Sequence, residues 1–380
     1  MSLSRFSFPT AIHFGLGART QLKVLLAKQG FKRPLLVTDR GLAGLPFFET
    51  IRQDLDAHGM QCGVFSGIWG NPVKSQVTAG VAAFRSHAAD CLVGIGGGAA
   101  LDVAKAIILM VNHPGDLFQY EDDLPGALPV DQPIPFWVAL PTTSGTGSEV
   151  GRSAVISDDV THVKKIIFDP QLLAKAVFAD PELTLGLPGP VTAATGMDAL
   201  THCVEAYLAK AYHPLCDGIA LEGLRLASRS LAKAVATPAD IEARGSMMMS
   251  SMMGAIAFQK GLGIVHSCAH ALSALKDLHH GFANGLMIDY ALAFNAEAVP
   301  ERFAMLAQAV GLKEQNAPAF LDWLKNLKAE IGIPPHLAEA KVEKADIPRL
   351  AELAFADACH PSNPRPCTRA DFEAVFMSAL

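Results

Sequence analysis

The feature that most limits the fold of this chain is a change of texture near residue 186. Before it, short β-rich runs alternate with helical patterns: "RPLLVTD" (33–39), "CGVFSG" (62–67), "DCLVGIGGG" (90–98), "IPFWVALPTTS" (134–144), "AVISD" (154–158) and "AVFAD" (176–180). Strands separated by helix-length segments cannot be joined by hairpins, so the alternation predicts a mostly parallel sheet covered by helices. After "DPELTLGLPGPVTAATG" the chain turns Ala-, Leu- and Met-rich, with few β-branched runs, and reads as all helix. The Pro/Gly cluster of Pro181, Gly186, Pro188, Gly189 and Pro190 marks the expected boundary. The fold class is therefore α/β plus all-α. Residues 1–185 are expected to form a Rossmann-like α/β domain and residues 186–380 a helical domain.

A chain of 380 residues, 50% hydrophobic and only 18% charged, is too apolar for disorder and long enough for two cores. Its net charge of −6, with no long Lys/Arg run, argues against nucleic acid and anionic membrane as partners and leaves small molecules. The N-terminal "MSLSRFSFPT" lacks an apolar signal core, and no apolar run reaches the 18 residues of a membrane span. Seven cysteines without a C-x-x-C pair suit reduced thiols, and a cytoplasmic location is expected. The methionine run "SMMMSSMMGA" (246–255) is read as helix core, since thioethers fill irregular gaps.

Two turns in the first half could hold a dinucleotide. In "DCLVGIGGGAALDVAK" a strand runs into glycines and then a helix, and Gly94-x-Gly96-x-x-Ala99 fits the loose fingerprint. Gly96, Gly97 and Gly98 would let backbone N–H groups approach a pyrophosphate at the helix N-terminus. "PTTSGTGSE" (141–149) again follows an apolar strand and again offers small residues and hydroxyls. Asp39 ends an earlier strand, where a carboxylate accepts from ribose hydroxyls and repels a 2′-phosphate, which favours NAD over NADP. The bland alternative for Asp39 is a turn residue or helix cap.

The second half carries candidate metal ligands. In "TGMDALTHCVEAY" (195–207), Asp198 and His202 stand one helical turn apart, able to grip one divalent ion or merely to share a surface hydrogen bond. "HSCAHALSALKDLHHG" (266–281) holds four of the thirteen histidines, with His266 and His270 again at i, i+4. In one straight helix His266 and His280 would be about 21 Å apart, so the chain must turn before they can share an ion. "DLHHG" offers that turn, with Gly281 expected to relax the backbone.

These motifs, in this order and spacing, resemble the iron-containing (group III) alcohol dehydrogenases over nearly the whole chain, from "LLVTD" to "NPR" (363–365). The resemblance implies a dehydroquinate-synthase-like fold, with the active site in a cleft between an NAD(P)-binding domain and a helical domain. It implies Asp198, His202, His266 and His280 as metal ligands and His270 beside the nicotinamide as a proton relay, with His279 outside the motif. It places Asp39, Asn71, Gly97, Gly98, Asp102, Thr142, Thr143, Thr146 and Ser148 at the coenzyme. Ala99 stands where the family usually has serine, and His360-Pro361 is distinctive in the expected substrate-side loop.

The implied reaction is hydride transfer between a small alcohol or aldehyde and NAD, the divalent ion acidifying the alcohol hydroxyl or polarising the carbonyl. One carboxylate and three imidazoles suit Fe(II) and Zn(II) alike, so only the resemblance favours iron. It also implies a homo-oligomer, a dimer. The rivals are a non-redox lyase like dehydroquinate synthase, a maleylacetate reductase lacking part of the metal set, a hydroxyacid–oxoacid transhydrogenase and a non-catalytic metal scaffold.

Overall fold

The computed structural model describes residues 6–8 and 10–380. The chain divides into two compact units. One comprises 10–143 and Ser148–Thr184; the other comprises 6–8, Ser144–Gly147 and Leu185–Leu380. The chain thus lends four residues of the "PTTSGTGSE" loop to the helical unit, a crossing that a single break near 186 does not anticipate.

In the first unit the strands are β1 (Ala11–Phe14), β2 (Pro34–Asp39), β3 (Gly63–Ile68), β4 (Cys91–Gly96), β5 (Trp137–Pro141), β6 (Ser153–Ser157), β7 (Lys164–Phe168) and β8 (Ala176–Ala179). Among the described residues, six form a parallel sheet in the order β1-β8-β5-β4-β2-β3. Every residue of β4, β5 and β8 is buried, as expected of central parallel strands covered on both faces. Helices α1 (Gln21–Gln29), α2 (Pro46–Ala57), α3 (Lys74–Ser86) and α4 (Gly98–Asn112) belong to this unit. Leu22, Leu26, Ile51 and Leu55 from α1 and α2 share a core with Leu36, Val93, Val138 and Phe178 of the sheet.

Two strands escape the sequence reading, β1 and β7, and one expected sheet strand is placed elsewhere. "AVISD" pairs antiparallel with β7, Ser153 opposite Phe168, in a separate two-stranded ribbon. Its link is too short for a crossover. The Asp158 carboxylate folds it by accepting from the N–H groups of Val160 and Thr161 at 3.0 and 2.8 Å, the local bonding that makes Asp a turn residue.

The second unit holds α5 (Gly189–Leu208), α6 (Pro214–Ala236), α7 (Ile241–Ala257), α8 (Ile264–Lys276), α9 (His280–Asn295), α10 (Pro300–Ala309), α11 (Ala317–Glu330), α12 (Ile347–Phe355) and α13 (Arg369–Ala379). Proline stands in the first turn of α5, α6, α10, α11 and α12, where its missing N–H costs nothing. From Thr192 to Leu208 every residue of α5 is buried, so this helix is the axis of the unit and has no solvent face. Met247, Met248 and Met252 of α7 are buried, the core role read from the methionine run. None of the helices among the described residues is long and apolar enough to cross a membrane.

Candidate metal centre and coenzyme turn

Because α5 is buried all round, the Asp198–His202 pair has no access to a surface role. Asp198 is 2% exposed, and carboxylates in that setting are paired or hold a cation. Helix α8 brings His266 to it, and the first residue of α9 brings His280. The Nε2 atoms of His202, His266 and His280 lie 3.8, 3.8 and 3.3 Å from Asp198 Oδ1. Four donors around one tetrahedral ion with bonds of about 2.1 Å stand about 3.4 Å from one another, so the cluster has the size of a single divalent ion. The His202 and His266 rings stack at 4.7 Å between centroids.

The electrostatics agree with a ligand set. Burial opposes ionisation of Asp198, yet the imidazoles of His202, His280 and His266 hold its carboxyl well below the usual carboxylate range. Burial, with the neighbouring His202 and His280, pushes the His266 imidazole well below its ordinary value and keeps it neutral. An ionised carboxylate and a neutral imidazole are forms that bind a metal. His202 Nδ1 and Asn284 Oδ1 are also buried with no hydrogen-bond partner among the described residues.

The turn between His266 and His280 is made differently from the sequence expectation. The left-handed residue is Asp277, at φ 53°, directly after α8, and Gly281 lies inside the first turn of α9. Glycine there serves closeness instead of flexibility. A Cβ on Gly281 would stand 2.2 Å from Ala194 O and 3.0 Å from Asp198 Cβ, so only glycine lets α9 approach α5. The exposed His279 precedes the helix as its N-terminal cap.

Three side chains that brace the candidate site escaped the sequence reading. Glu205, one turn beyond His202 on α5, accepts from His266 Nδ1 at 2.6 Å and from the N–H groups of Val265 and His266 at 2.7 and 3.2 Å. It thereby caps α8 and, by accepting the Nδ1–H of His266, leaves the Nε2 lone pair free on the side of Asp198. Burial pushes its carboxyl up to about 8, against the pull of the α8 N–H groups. Asn284, one turn along α9 from His280, donates from Nδ2 to Asp198 Oδ1 at 2.8 Å. Asp357 accepts from His270 Nδ1 at 2.8 Å, Ser267 Oγ at 2.8 Å and the Cys359 N–H at 2.9 Å. The available signal was helical spacing for Glu205 and Asn284; for Asp357, almost 90 residues from His270, there was none. His360 turns inward on its own loop, its ring stacked on Phe355 and its Nε2 bonded to Phe355 O at 2.9 Å.

The candidate coenzyme residues lie at the carboxyl ends of neighbouring strands. Gly96, at φ 153°, closes β4, and a Cβ there would meet Ala100 Cβ at 2.6 Å. Gly97 caps α4 with its back against Thr143, leaving the helix N-terminus bare to an anion. Asp39, at the end of β2, points Oδ2 toward Gly96, while Oδ1 accepts the Leu42 N–H at 2.9 Å, so the turn-residue role coexists with an open oxygen. Asn71 follows β3, whose partner is β2. Asp102 braces the second turn: it accepts from Ser148 Oγ at 2.5 Å and from the Val155 N–H at 3.1 Å. The fully buried Lys105 donates to Ser148 Oγ and Ser153 O, both at 2.7 Å. Thr142 belongs with Thr143 to the α/β unit and Thr146 to the helical one.

Family models agree with both halves: residues 9–181 match "Iron-containing alcohol dehydrogenase" and residues 192–380 match "Fe-containing alcohol dehydrogenase family, C-terminal". The chain belongs to the iron-containing alcohol dehydrogenase family. It is similar to a 4-hydroxybutyrate dehydrogenase of Cupriavidus necator, 38% identical over 98% of both chains. It is likewise similar to an NAD-dependent methanol dehydrogenase of Bacillus methanolicus, 36% identical over the whole of both. A crystal structure of 1,3-propanediol oxidoreductase superimposes with a TM-score of 0.95 at 35% identity, covering both chains fully. This family member is an oxidoreductase, an alcohol dehydrogenase/aldehyde reductase that uses NAD and a metal ion on a small-molecule substrate.

Proposed function

We propose that the enzyme interconverts short primary alcohols and their aldehydes with NAD(H), using Fe(II) held by Asp198, His202, His266 and His280. The observation that supports this reading is the convergence of three Nε2 atoms within 3.8 Å of one buried carboxylate oxygen. When bound, the ion supplies Lewis acidity toward the alcohol or carbonyl oxygen. The relatives named above act, by their names, on molecules with a terminal hydroxyl, which is the basis for the substrate class.

The chain's own residues do the rest. Glu205 holds the His266 tautomer, and Asp198 balances the ion's charge. The Gly96–Gly98 turn presents N–H groups to the pyrophosphate, and Asp39 takes the ribose hydroxyls. Asp357 fixes the Nδ1 proton of His270, so His270 Nε2 is the atom that exchanges a proton with the reacting oxygen or with water. A nicotinamide bound at this turn would supply the hydride acceptor for the alcohol or the hydride donor for the aldehyde.

The test is anaerobic chelation followed by reconstitution with Fe(II) or Zn(II), reading NADH oxidation with unbranched aldehydes of one to four carbons. Activity lost on chelation and regained most fully with Fe(II) supports the reading. Activity that survives complete demetallation, or a better zinc enzyme, overturns it. Dimerisation and a cytoplasmic location, proposed from the family resemblance, are checked by light scattering and by cell fractionation.

A further inference from the structure

Beside Asp39 a cleft of about 370 Å³ opens at the ends of β2, β3 and α4, lined by Asp39, Arg40, Trp69, Gly70 and Ala99 among others. Arg40 is exposed, and its backbone N–H is tied to Ile68 O at 3.0 Å. Its guanidinium carbon lies 3.8 Å from the centroid of the Trp69 ring, itself 53% exposed. Among the described residues the Arg40 guanidinium makes no ion pair, although the carboxylate of the adjoining residue lines the same cleft. An arginine whose charge has only an exposed aromatic face for company gives up little on leaving it. A phosphate dianion offers the same fork two parallel charge-assisted hydrogen bonds.

We propose that Arg40 is a latent 2′-phosphate contact, parked on Trp69, so that coenzyme choice is set by three residues: Asp39 against the phosphate, Arg40 for it and Trp69 as the brake on Arg40. The ligand class is a nucleotide carrying a phosphate on the adenosine 2′-oxygen. NAD remains preferred because the Asp39 carboxylate is fixed by its bond to the Leu42 N–H while Arg40 must first move. This inference rests on the reading of Asp39 as the ribose-binding acid.

The experiment measures dissociation constants of 2′,5′-ADP and 5′-AMP on the metal-loaded enzyme by competition with NADH fluorescence, for the native chain and for Arg40→Ala, Arg40→Lys, Trp69→Leu and Asp39→Gly. Arg40→Ala is expected to weaken 2′,5′-ADP about fivefold or more while 5′-AMP changes less than about twofold, and Arg40→Lys to recover part of the loss. Trp69→Leu is expected to shift the ratio of the two affinities toward 2′,5′-ADP about threefold. If Arg40→Ala weakens both probes equally, or neither, the 2′-phosphate role is overturned. A Trp69→Leu ratio that stays put or moves toward 5′-AMP overturns the parking. Asp39→Gly reports on the underlying reading alone: an unchanged ratio there refutes the ribose role of Asp39, while the Arg40 result is still decided by its own arm.

Discussion

The proposed coenzyme turn and the proposed metal centre are built by opposite means. The first is backbone: Gly96, Gly97 and the N-terminus of α4, placed by one strand-to-helix connection within a dozen residues. The second is side chain: one carboxylate and three imidazoles from three helices, with Asp198 and His280 82 positions apart in sequence. A backbone site tolerates change of side chains but not the addition of a Cβ. A side-chain site tolerates neither a lost ligand nor a helix held one ångström too far away.

Variants that damage one site and spare the other sharpen the contrast. Asp198→Ala is expected to cut kcat by about 10³-fold or more and drop bound metal below a tenth of an equivalent, with the NADH dissociation constant within about twofold. Metal analysis and fluorescence titration check both; a matching loss of NADH affinity would break the separation. Glu205→Gln leaves every ligand in place but replaces the carboxyl that holds the His266 ring with an amide that can turn its NH2 toward Nδ1, so metal affinity is expected to fall about 10–100-fold, measured by competition with a chelator. Gly281→Ala changes no donor at all, yet its methyl group collides with Ala194 O, and a comparable loss of metal identifies helix spacing as the cause.

The coenzyme unit has its own signatures. Gly96→Ala places a Cβ against Ala100 at a left-handed φ, and NADH affinity is expected to fall about tenfold with a full equivalent of metal retained. The last signature is one of stability and concerns Glu149, buried with Oε1 unpartnered among the described residues; burial pushes its carboxyl up to about 7 from 4.5. An acid raised on folding stabilises the fold fully below its unfolded value and loses that contribution as pH rises to the folded one. Between pH 4.5 and 7 the native chain is thus expected to lose about 3 kcal/mol that Glu149→Gln does not, after which the curves run parallel. Denaturant melts across that window check it, and curves parallel throughout would remove the buried charge from the account.

Legibility in the sequence followed the same division. Apolar runs bounded by glycine and proline announced β2, β4, β5 and β8, because a buried parallel strand needs a run of apolar residues. The strand β1 stayed hidden because "AIHF" is four residues at a sheet edge with mixed exposure. β7 stayed hidden because "KKIIF" carries two lysines on a ribbon half open to solvent. "AVISD" looked like its sheet neighbours locally and was diverted by the turn after it. Asp198, His202, His266 and His280 were visible as i, i+4 pairs and a histidine cluster, and the structure brings all four together.

The sequence by itself determined the two textures, the glycine turn and the two stretches that carry the carboxylate and the clustered imidazoles, because periodicity, φ freedom and donor chemistry are local properties of residues, while the four-ligand set came from the family resemblance. Tertiary structure alone decided that Asp277 makes the turn and Gly281 the contact, that Glu205 and Asp357 each hold a histidine, and that Arg40 rests on Trp69. Those outcomes depend on which surfaces meet when remote segments pack, and no window of the chain contains both partners. The sixteen residues from His266 to Gly281 carry half of the proposed metal centre, and the packing of α5 against α9 supplies the rest.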